Sequence, residues 1–375
     1  MFSRFTLRIF GRTGHRTSCT VRSLVKIAGR PGLVDVESPT HPQFVDEFKH
    51  DFPYRIDVTG VMEKLQLETY SREFRPKLDK LLLEYGAVLI RGLPLDTAND
   101  FSKFFLSLGH EPQPYMGGAA NRSQVAAGVV DTGKQEESDE DCIEPHCEMA
   151  YTHNFPHMFF LFAEVAPSPG CGGESGITDM RDVLRTLDPE VVEKFTKLGV
   201  RYHRCLPDRN NQDAPHRYSY WQTSLLTDSR DEAELRLKET GHSPDQYRWN
   251  EEGTLSFWTN CPAVRPHHRT GEMMWFNQSD LSHWSYFKKM SAFYDVFKDE
   301  DPLKYPFTSF YGDGTEIELD VIRHIRETMW RCTKVGQLKQ GDVLVLDNMR
   351  VGHSKLGFTG ARVLRVALSM YTAAE

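Results

Sequence analysis

Apolar positions along this chain recur with two different spacings. In VMEKLQLETYSREFRPKLDKLLLEYG, residues 61–86, Leu78, Leu81, Leu82 and Tyr85 fall three or four apart. That spacing gives the later turns of a helix one apolar side, and Gly86 closes it. The period then changes. AVLIRGLPL is a short continuous apolar run ending in Gly and Pro, which predicts a buried strand. DTANDFSKFFLSLG returns to helix, with Asp96 or Thr97 as its cap.

Beyond about residue 111 the pattern is mostly short apolar runs broken by Gly, Pro, Asn and Asp: HMFFLFAEVAP, LGVRYHRCLP, TLSFWTNCPAV, DVLVLDN and ARVLRVALSMY. These predict β-strands. Helical segments lie between them, in DPEVVEKFTKLG, SRDEAELRLKETG and EIELDVIRHIRETMWRC. A strand-rich body with helices outside, and without regular β-α alternation, predicts a mainly β fold with surrounding helices around a double-stranded β-helix of the jelly-roll, cupin-like kind. A doubly wound sheet is the architecture it argues against.

Composition narrows the function. With 39% hydrophobic and 26% charged residues the chain reads as a soluble globular protein, and no apolar run approaches the roughly 20 residues that span a bilayer, so no membrane partner is expected. The formal net charge of -8 and the lack of a Lys/Arg-rich stripe in the body argue against nucleic acid as a partner. A small-molecule substrate becomes the better expectation, and oligomeric state is left undetermined. The seven cysteines are odd in number, scattered and free of a CxxC pair, which fits a reduced compartment. The sequons at Asn121 and Asn277 read as chance matches, because no secretory signal precedes them.

The first 33 residues are different. Arg4, Arg8, Arg12 and Arg16 recur every four residues, and no acid occurs before Asp35. A helix would stack those cations along one side, with Phe2, Phe5, Ile9 and Phe10 interspersed. This is the composition of a mitochondrial transit peptide, implying the matrix, or else of a disordered basic tail in a cytoplasmic protein. Residues 34–375 then form a single domain.

The chemistry-bearing pattern is EPHCEMAY. In an extended segment His146 and Glu148 point the same way and Cys147 the other, which pre-aligns an imidazole and a carboxylate. Such a pair alone is a weak signal. His353, expected on a loop after the Val343–Leu346 strand, adds a second imidazole from far along the chain. Two histidines and one carboxylate occupy one face of an octahedral ion and leave three positions open, which suits Fe(II) holding a co-substrate and dioxygen. Downstream, Arg362 alternates onto the side of Leu364, Val366, Leu368 and Met370, whereas Arg365 shares the other face with Val363, Ala367 and Ser369. A guanidinium among aliphatic side chains needs an acid to meet it, and its planar fork matches a small dicarboxylate.

Together, GAVLIRGLP, YMGGAANRSQV, EPHCEMAY, MFFLFAEVAPSPGCGGESGITDMRDVL, TGEMMWFNQ and GDVLVLDNMRVGHSKLGFTGARVLRVAL resemble the TauD/TfdA-like, clavaminate synthase-like Fe(II)/2-oxoglutarate-dependent dioxygenases over most of the chain. The resemblance implies that His146, Glu148 and His353 are the iron ligands and that Arg362 pairs with the distal carboxylate of 2-oxoglutarate. It also implies that Ser175, where the family usually has threonine, hydrogen-bonds the same co-substrate; serine keeps the hydroxyl and loses a methyl. Glu148 departs from the aspartate of most relatives, although the clavaminate synthase-like branch uses glutamate. The implied reaction consumes dioxygen and 2-oxoglutarate, releases succinate and carbon dioxide, and oxidises a small polar metabolite, by default through hydroxylation.

Other residues carry less. His153 and His157 are spaced by four, but Pro156 between them opposes a helix, so both read as structural. Cys147 reads as a core residue and Arg91 as a brace. Arg122 and Asn277 are substrate candidates beside Tyr115, with an interior hydrogen-bonding role as the alternative. The acidic run KQEESDEDC reads as a solvated loop or a lid. Two competing functions remain: a metal- or ligand-binding protein with a degenerate pocket, and a zinc hydrolase on the same three ligands.

Overall fold

A computed structural model describes residues 46–372 apart from 59–62, 121, 133–138, 140–141, 215 and 288–300. The N-terminal basic segment, Asn121 and most of the acidic run lie outside the described residues.

Period-two alternation sorts the side chains of the largest sheet onto two faces. The strands stand side by side in the order Tyr54–Asp57, Ala87–Arg91, Val343–Asp347, Met158–Val165, Val363–Met370, Val129–Asp131 and Gln124–Ala126. Val88, Ile90, Phe160, Phe162, Val343 and Val345 point to one side, where they pack with Phe74, Leu78, Phe101, Phe104 and Phe105 of two covering helices. Those helices run over Leu67–Tyr85 and Ala98–Ser107. Ala87, Leu89, Phe159, Leu161, Leu344, Leu346, Leu364 and Val366 point to the other side and share a core with Ile177 and Val351 of a second sheet. Burying each of the larger side chains is worth about 1.5–3 kcal/mol, so a one-residue slip of any central strand would exchange both faces at prohibitive cost.

The second sheet has the order Asp46–Glu47, Thr333–Gly336, Ser175–Asp179, Val351–Lys355, Ile143–His146. Two mostly antiparallel sheets enclosing one core form the expected jelly roll, and a third sheet built from Tyr247–Trp249, Leu255–Cys261, Val200–Leu206 and Phe307–Tyr311 is added to it. The predicted outer helices occur as Pro189–Leu198, Arg230–Glu239 and Leu319–Arg331.

Local details show why the elements end where they do. Thr97, not Asp96, caps its helix: its hydroxyl accepts the Asp100 amide while the Asp100 carboxylate accepts the Thr97 amide. Gly86 stops the preceding helix at φ 78°, a left-handed conformation, and a Cβ there would sit 2.8 Å from Val351. Arg91 braces the large sheet as expected, through a two-point contact with the fully buried Asp342 at 2.8 and 2.6 Å. Cys142, Cys147, Cys205, Cys261 and Cys332 are free thiols.

One expected element is corrected. His353 lies not on a loop but inside the Val351–Lys355 strand, paired with Ser175–Asp179 on one edge and with Ile143–His146 on the other. VGHSK lacks the apolar alternation that marks a strand. Its pairing on both edges, rather than its own side chains, makes it one.

Candidate metal centre

Antiparallel register does the first part of the assembly. It sets His353 directly opposite His146 on neighbouring strands, with ring centroids 4.3 Å apart. Close approach at this point depends on Gly352, where a Cβ would lie 3.0 Å from the His146 carbonyl oxygen and 2.1 Å from Met180. The His146 ring accommodates a metal through Nε2, because Nδ1 lies 2.8 Å from the Glu144 carbonyl oxygen and must carry the hydrogen there. Trp330 Nε1 in turn donates to the Glu144 carboxylate. The His353 ring stacks on Phe159 at 4.0 Å and 23°.

Glu148 stands just past the end of the strand that carries His146. The strand stops at His146, and the chain turns at once, with Met149 at φ 57°. The Glu148 carboxylate lies within 4.8 Å of the donor nitrogens of both imidazoles. Asn348 holds it there: its Oδ1 accepts the Glu148 amide at 2.7 Å, and its Nδ2 donates to the carbonyls of Glu148 and Pro156 at 2.9 and 2.7 Å. Cys147, between the two acid-base groups, is fully buried in the core as expected.

The donor atoms of His146, Glu148 and His353 all lie within 4.8 Å of one another, and they form the only such group among the described residues. His353 Nε2 stands 3.5 Å from Glu148 Oε2. Right-angled bonds of about 2.1 Å place neighbouring ligands about 3 Å apart, so small side-chain adjustments suffice to close on an ion. Burial lowers the pKa of His146, and burial with the nearby His146 and Arg122 lowers that of His353 further, so both rings offer a lone pair. Two neutral imidazoles and one carboxylate fit Fe(II) with positions left open.

The triad lines a cavity of about 380 Å³ that also contains Ser175, Arg362 and Arg122. Ser175 opens its strand and is 3% exposed. Arg362 just precedes the Val363–Met370 strand, and Leu364 and Val366 line the cavity beside it, while Arg365 turns away to pair with Glu164. The predicted split of the two arginines between faces therefore holds. Burial lowers the Arg362 pKa to about 10, opposed by Asp139 and Glu174.

Arg122 donates from Nη2 to Glu148 Oε2 at 3.0 Å and lies over the Tyr115 ring at 4.2 Å. Asn277 is a correction. It is fully buried, with Nδ2 donating to the Ala263 carbonyl and Oδ1 accepting the Ser279 amide, and it does not line the cavity. The next residue, Gln278, does. His153 and His157 lie outside the cavity, in keeping with structural roles; His157 stacks on His268 at 4.0 Å. Residues that sequence reasoning missed include Asn348, Phe159, Tyr151 and Arg204. Asn348 sits in DNMRVGH, five residues before a predicted ligand, which was the available signal.

Comparison with known proteins agrees with this architecture. The chain is 31% identical over 298 residues to a clavaminate synthase-like protein of Arabidopsis thaliana, covering 78% of this chain and 83% of that one. It is 30% identical over 363 residues to the dapdiamide synthesis protein DdaC of Enterobacter agglomerans, covering 96% and 97%. Among solved structures, an asparagine oxygenase in complex with Fe(II), 2S,3S-3-hydroxyasparagine and succinate shares the fold, with a TM-score of 0.51 at 14% identity over 84% of this chain and 93% of that one. Residues 56–368 match the description of the taurine catabolism dioxygenase TauD, TfdA family, and the chain belongs to that family.

Proposed function

We propose that this protein is an Fe(II)- and 2-oxoglutarate-dependent dioxygenase that hydroxylates a small polar metabolite and releases succinate and carbon dioxide. His146, Glu148 and His353 would hold the metal. Arg362 would meet the distal carboxylate of 2-oxoglutarate, and the Ser175 hydroxyl would donate to the same group. Bound Fe(II) and 2-oxoglutarate supply the electrons that activate dioxygen. The chain's own share is to fix the ligand geometry, anchor the co-substrate and orient the substrate's C–H bond in a cavity lined partly by Phe159, Leu161 and Phe307.

The observation that carries this reading is the convergence on one cavity of the three-ligand set with a buried arginine and a hydroxyl. The zinc-hydrolase alternative accounts for the ligands but gives Arg362 no task. A degenerate binding protein would have no reason to keep all five groups together. In the test, protein prepared without exposure to air receives Fe(II), 2-oxoglutarate and a metabolite library. Substrate-stimulated succinate release, abolished in His146→Ala, is expected; succinate that never exceeds the level of His146→Ala refutes the reading. The basic segment 1–33 supports delivery to the mitochondrial matrix, which import of a tagged full-length chain would check. No helix of the described residues is long and apolar enough to cross a membrane.

A further inference from the structure

We infer that Gln278 is a positioning residue of the metal centre: its side-chain amide, together with that of Asn348, holds the peptide between Cys147 and Glu148 from both sides and so sets where the Glu148 ligand stands. This rests on the three-ligand reading of the centre, though on no particular reaction.

The backbone around Glu148 lies beyond the sheet ladder. The strand ends at His146, and in the turn that follows Met149 takes a left-handed φ of 57°. A methionine adopts that conformation rarely, and it persists where the surroundings fix it. Two side chains fix three consecutive backbone groups here. The Cys147 carbonyl accepts Gln278 Nε2, the Glu148 amide donates to Asn348 Oδ1, and the Glu148 carbonyl accepts Asn348 Nδ2. The Cys147 carbonyl also takes the Ala150 amide, at a longer 3.3 Å.

The first two of these groups belong to one planar peptide, whose carbonyl and N–H point in opposite directions. Gln278 and Asn348 therefore grip it from opposite sides, and the plane cannot swing without straining both bonds. The torsions that flank the plane, ψ of Cys147 and φ of Glu148, set the course of the chain from one ligand to the next. A carbonyl only accepts, so the Gln278 amide must present Nε2 to it, and only a donor at that position serves.

Gln278 is itself held from outside the jelly roll. It is 3% exposed, its backbone amide donates to the Tyr202 hydroxyl at 2.8 Å, and its carbonyl accepts the Ser282 amide at 2.9 Å. The Ser309 hydroxyl donates to the carbonyl of the next residue, Ser279, at 2.6 Å. Tyr202 and Ser309 stand on Val200–Leu206 and Phe307–Tyr311, two strands of the third sheet. Asn348, by contrast, directly follows the Val343–Asp347 strand of the largest sheet. Two separate parts of the fold thus meet on one peptide, and Gln278 gives the added sheet a reach into the metal centre.

The test uses the full chain, freed of metal. Co(II) affinity is measured by competition with a chromophoric chelator, the visible spectrum of the Co(II) form reports ligand geometry, and urea titration of the metal-free protein reports stability. Gln278→Met removes the donor and keeps an unbranched chain of similar length. It should weaken Co(II) binding roughly 10- to 100-fold, the range for groups that orient a metal ligand, and shift the spectrum. Gln278→Glu, whose carboxylate cannot donate, should do the same and serves if the methionine variant does not fold. Thr97→Ala loses the cap of a helix that covers the other face of the largest sheet. It should lower the urea midpoint yet leave Co(II) affinity within twofold and the spectrum unchanged, so that lost stability alone is not mistaken for lost positioning. In a Gln278→Met, Asn348→Asp double variant the loss of affinity should fall short of the product of the two single losses, because both bonds hold one plane. The proposal is overturned if the Gln278 variants bind Co(II) within twofold of wild type or give the wild-type spectrum, or if the two single losses multiply. A wild-type chain that binds no Co(II) sinks the metal-centre reading and this proposal with it, whereas Gln278 variants that behave as wild type sink the proposal alone.

Discussion

Asn348 offers the sharpest test of how the metal centre is built. The side chain is fully buried and makes three hydrogen bonds, to the amide and carbonyl of Glu148 and to the carbonyl of Pro156. Alanine would strand all three backbone groups in the interior. Each orphan costs about 1–3 kcal/mol, so Asn348→Ala should destabilise the fold by several kcal/mol, at the upper end for a point mutation. The informative variant is the isosteric Asn348→Asp. One carboxylate oxygen can still accept the Glu148 amide. The other must face two carbonyl oxygens that now lack a donor. The turn carrying Glu148 should shift, and metal affinity should fall roughly 10- to 100-fold, the usual cost of losing support behind a ligand. Affinity is measured by competition with a chromophoric chelator, and stability by urea titration of the metal-free protein. An Asn348→Asp protein that binds metal within twofold of wild type would refute the claim that Asn348 acts through the backbone of Glu148.

Other expectations follow from the same geometry. Arg362→Met should raise KM for 2-oxoglutarate roughly 100-fold or more by removing a charge-assisted, two-point contact, with the lysine variant intermediate; Arg365→Met, on the opposite face, should leave KM within about threefold. Ser175→Ala should raise the same KM roughly tenfold and Ser175→Thr should not, because only alanine lacks the hydroxyl. Acid should destabilise the fold in a defined window. Burial holds His203 and His216 at about 4, whereas unfolded histidine titrates near 6.5. Above the unfolded value neither state takes up a proton at these positions. Between the two values only the unfolded chain does, so stability falls as pH drops, by up to about 1.4 kcal/mol per group per pH unit. Urea midpoints at pH 7, 6 and 5 check the direction, and a rise from 7 to 5 would contradict it.

How much of this was legible in the sequence depends on whether a residue's role comes from its own strand or from a neighbour. That AVLIR, MFFLFAEV and VLVLD are buried strands could be read directly, because each is a nearly continuous apolar run, whereas which alternate side chains meet the helices and which the second sheet appears only in the packing. The separation of Arg362 from Arg365 was legible from the alternation of their positions. The strand bearing His353 was not, since its conformation is imposed by ladder bonds to Ser175–Asp179 and Ile143–His146. Glu148 was legible beside His146 from their spacing of two, although the strand ends at His146 and Glu148 stands just beyond it. Asn277 and Gln278 are neighbours of similar polarity, and only the hydrogen bonds of Asn277 to Ala263 and Ser279 decide which of the two can face the cavity.

The parts of the site differ in how firmly they are held, and this bears on what each can do. His146 and His353 sit on paired strands whose backbone bonds are those of the sheet itself, so moving either ring means disturbing the jelly roll. Arg122 and Tyr115 belong to the segment between the Glu111–Pro112 and Gln124–Ala126 strands, which the Arg204 guanidinium holds by the carbonyls of Gly117 and Gly118 and the Ser224 carbonyl holds by the Gly117 amide. Ligand spacing tolerates errors of only a few tenths of an ångström, whereas substrate recognition needs surfaces that can change without loss of the metal. An arrangement that roots the imidazoles in the ladder and leaves another part of the cavity wall to a loop would meet both demands. Glu148, held on a turn by Asn348 and touched by Arg122, stands where that loop meets the two strand-borne imidazoles.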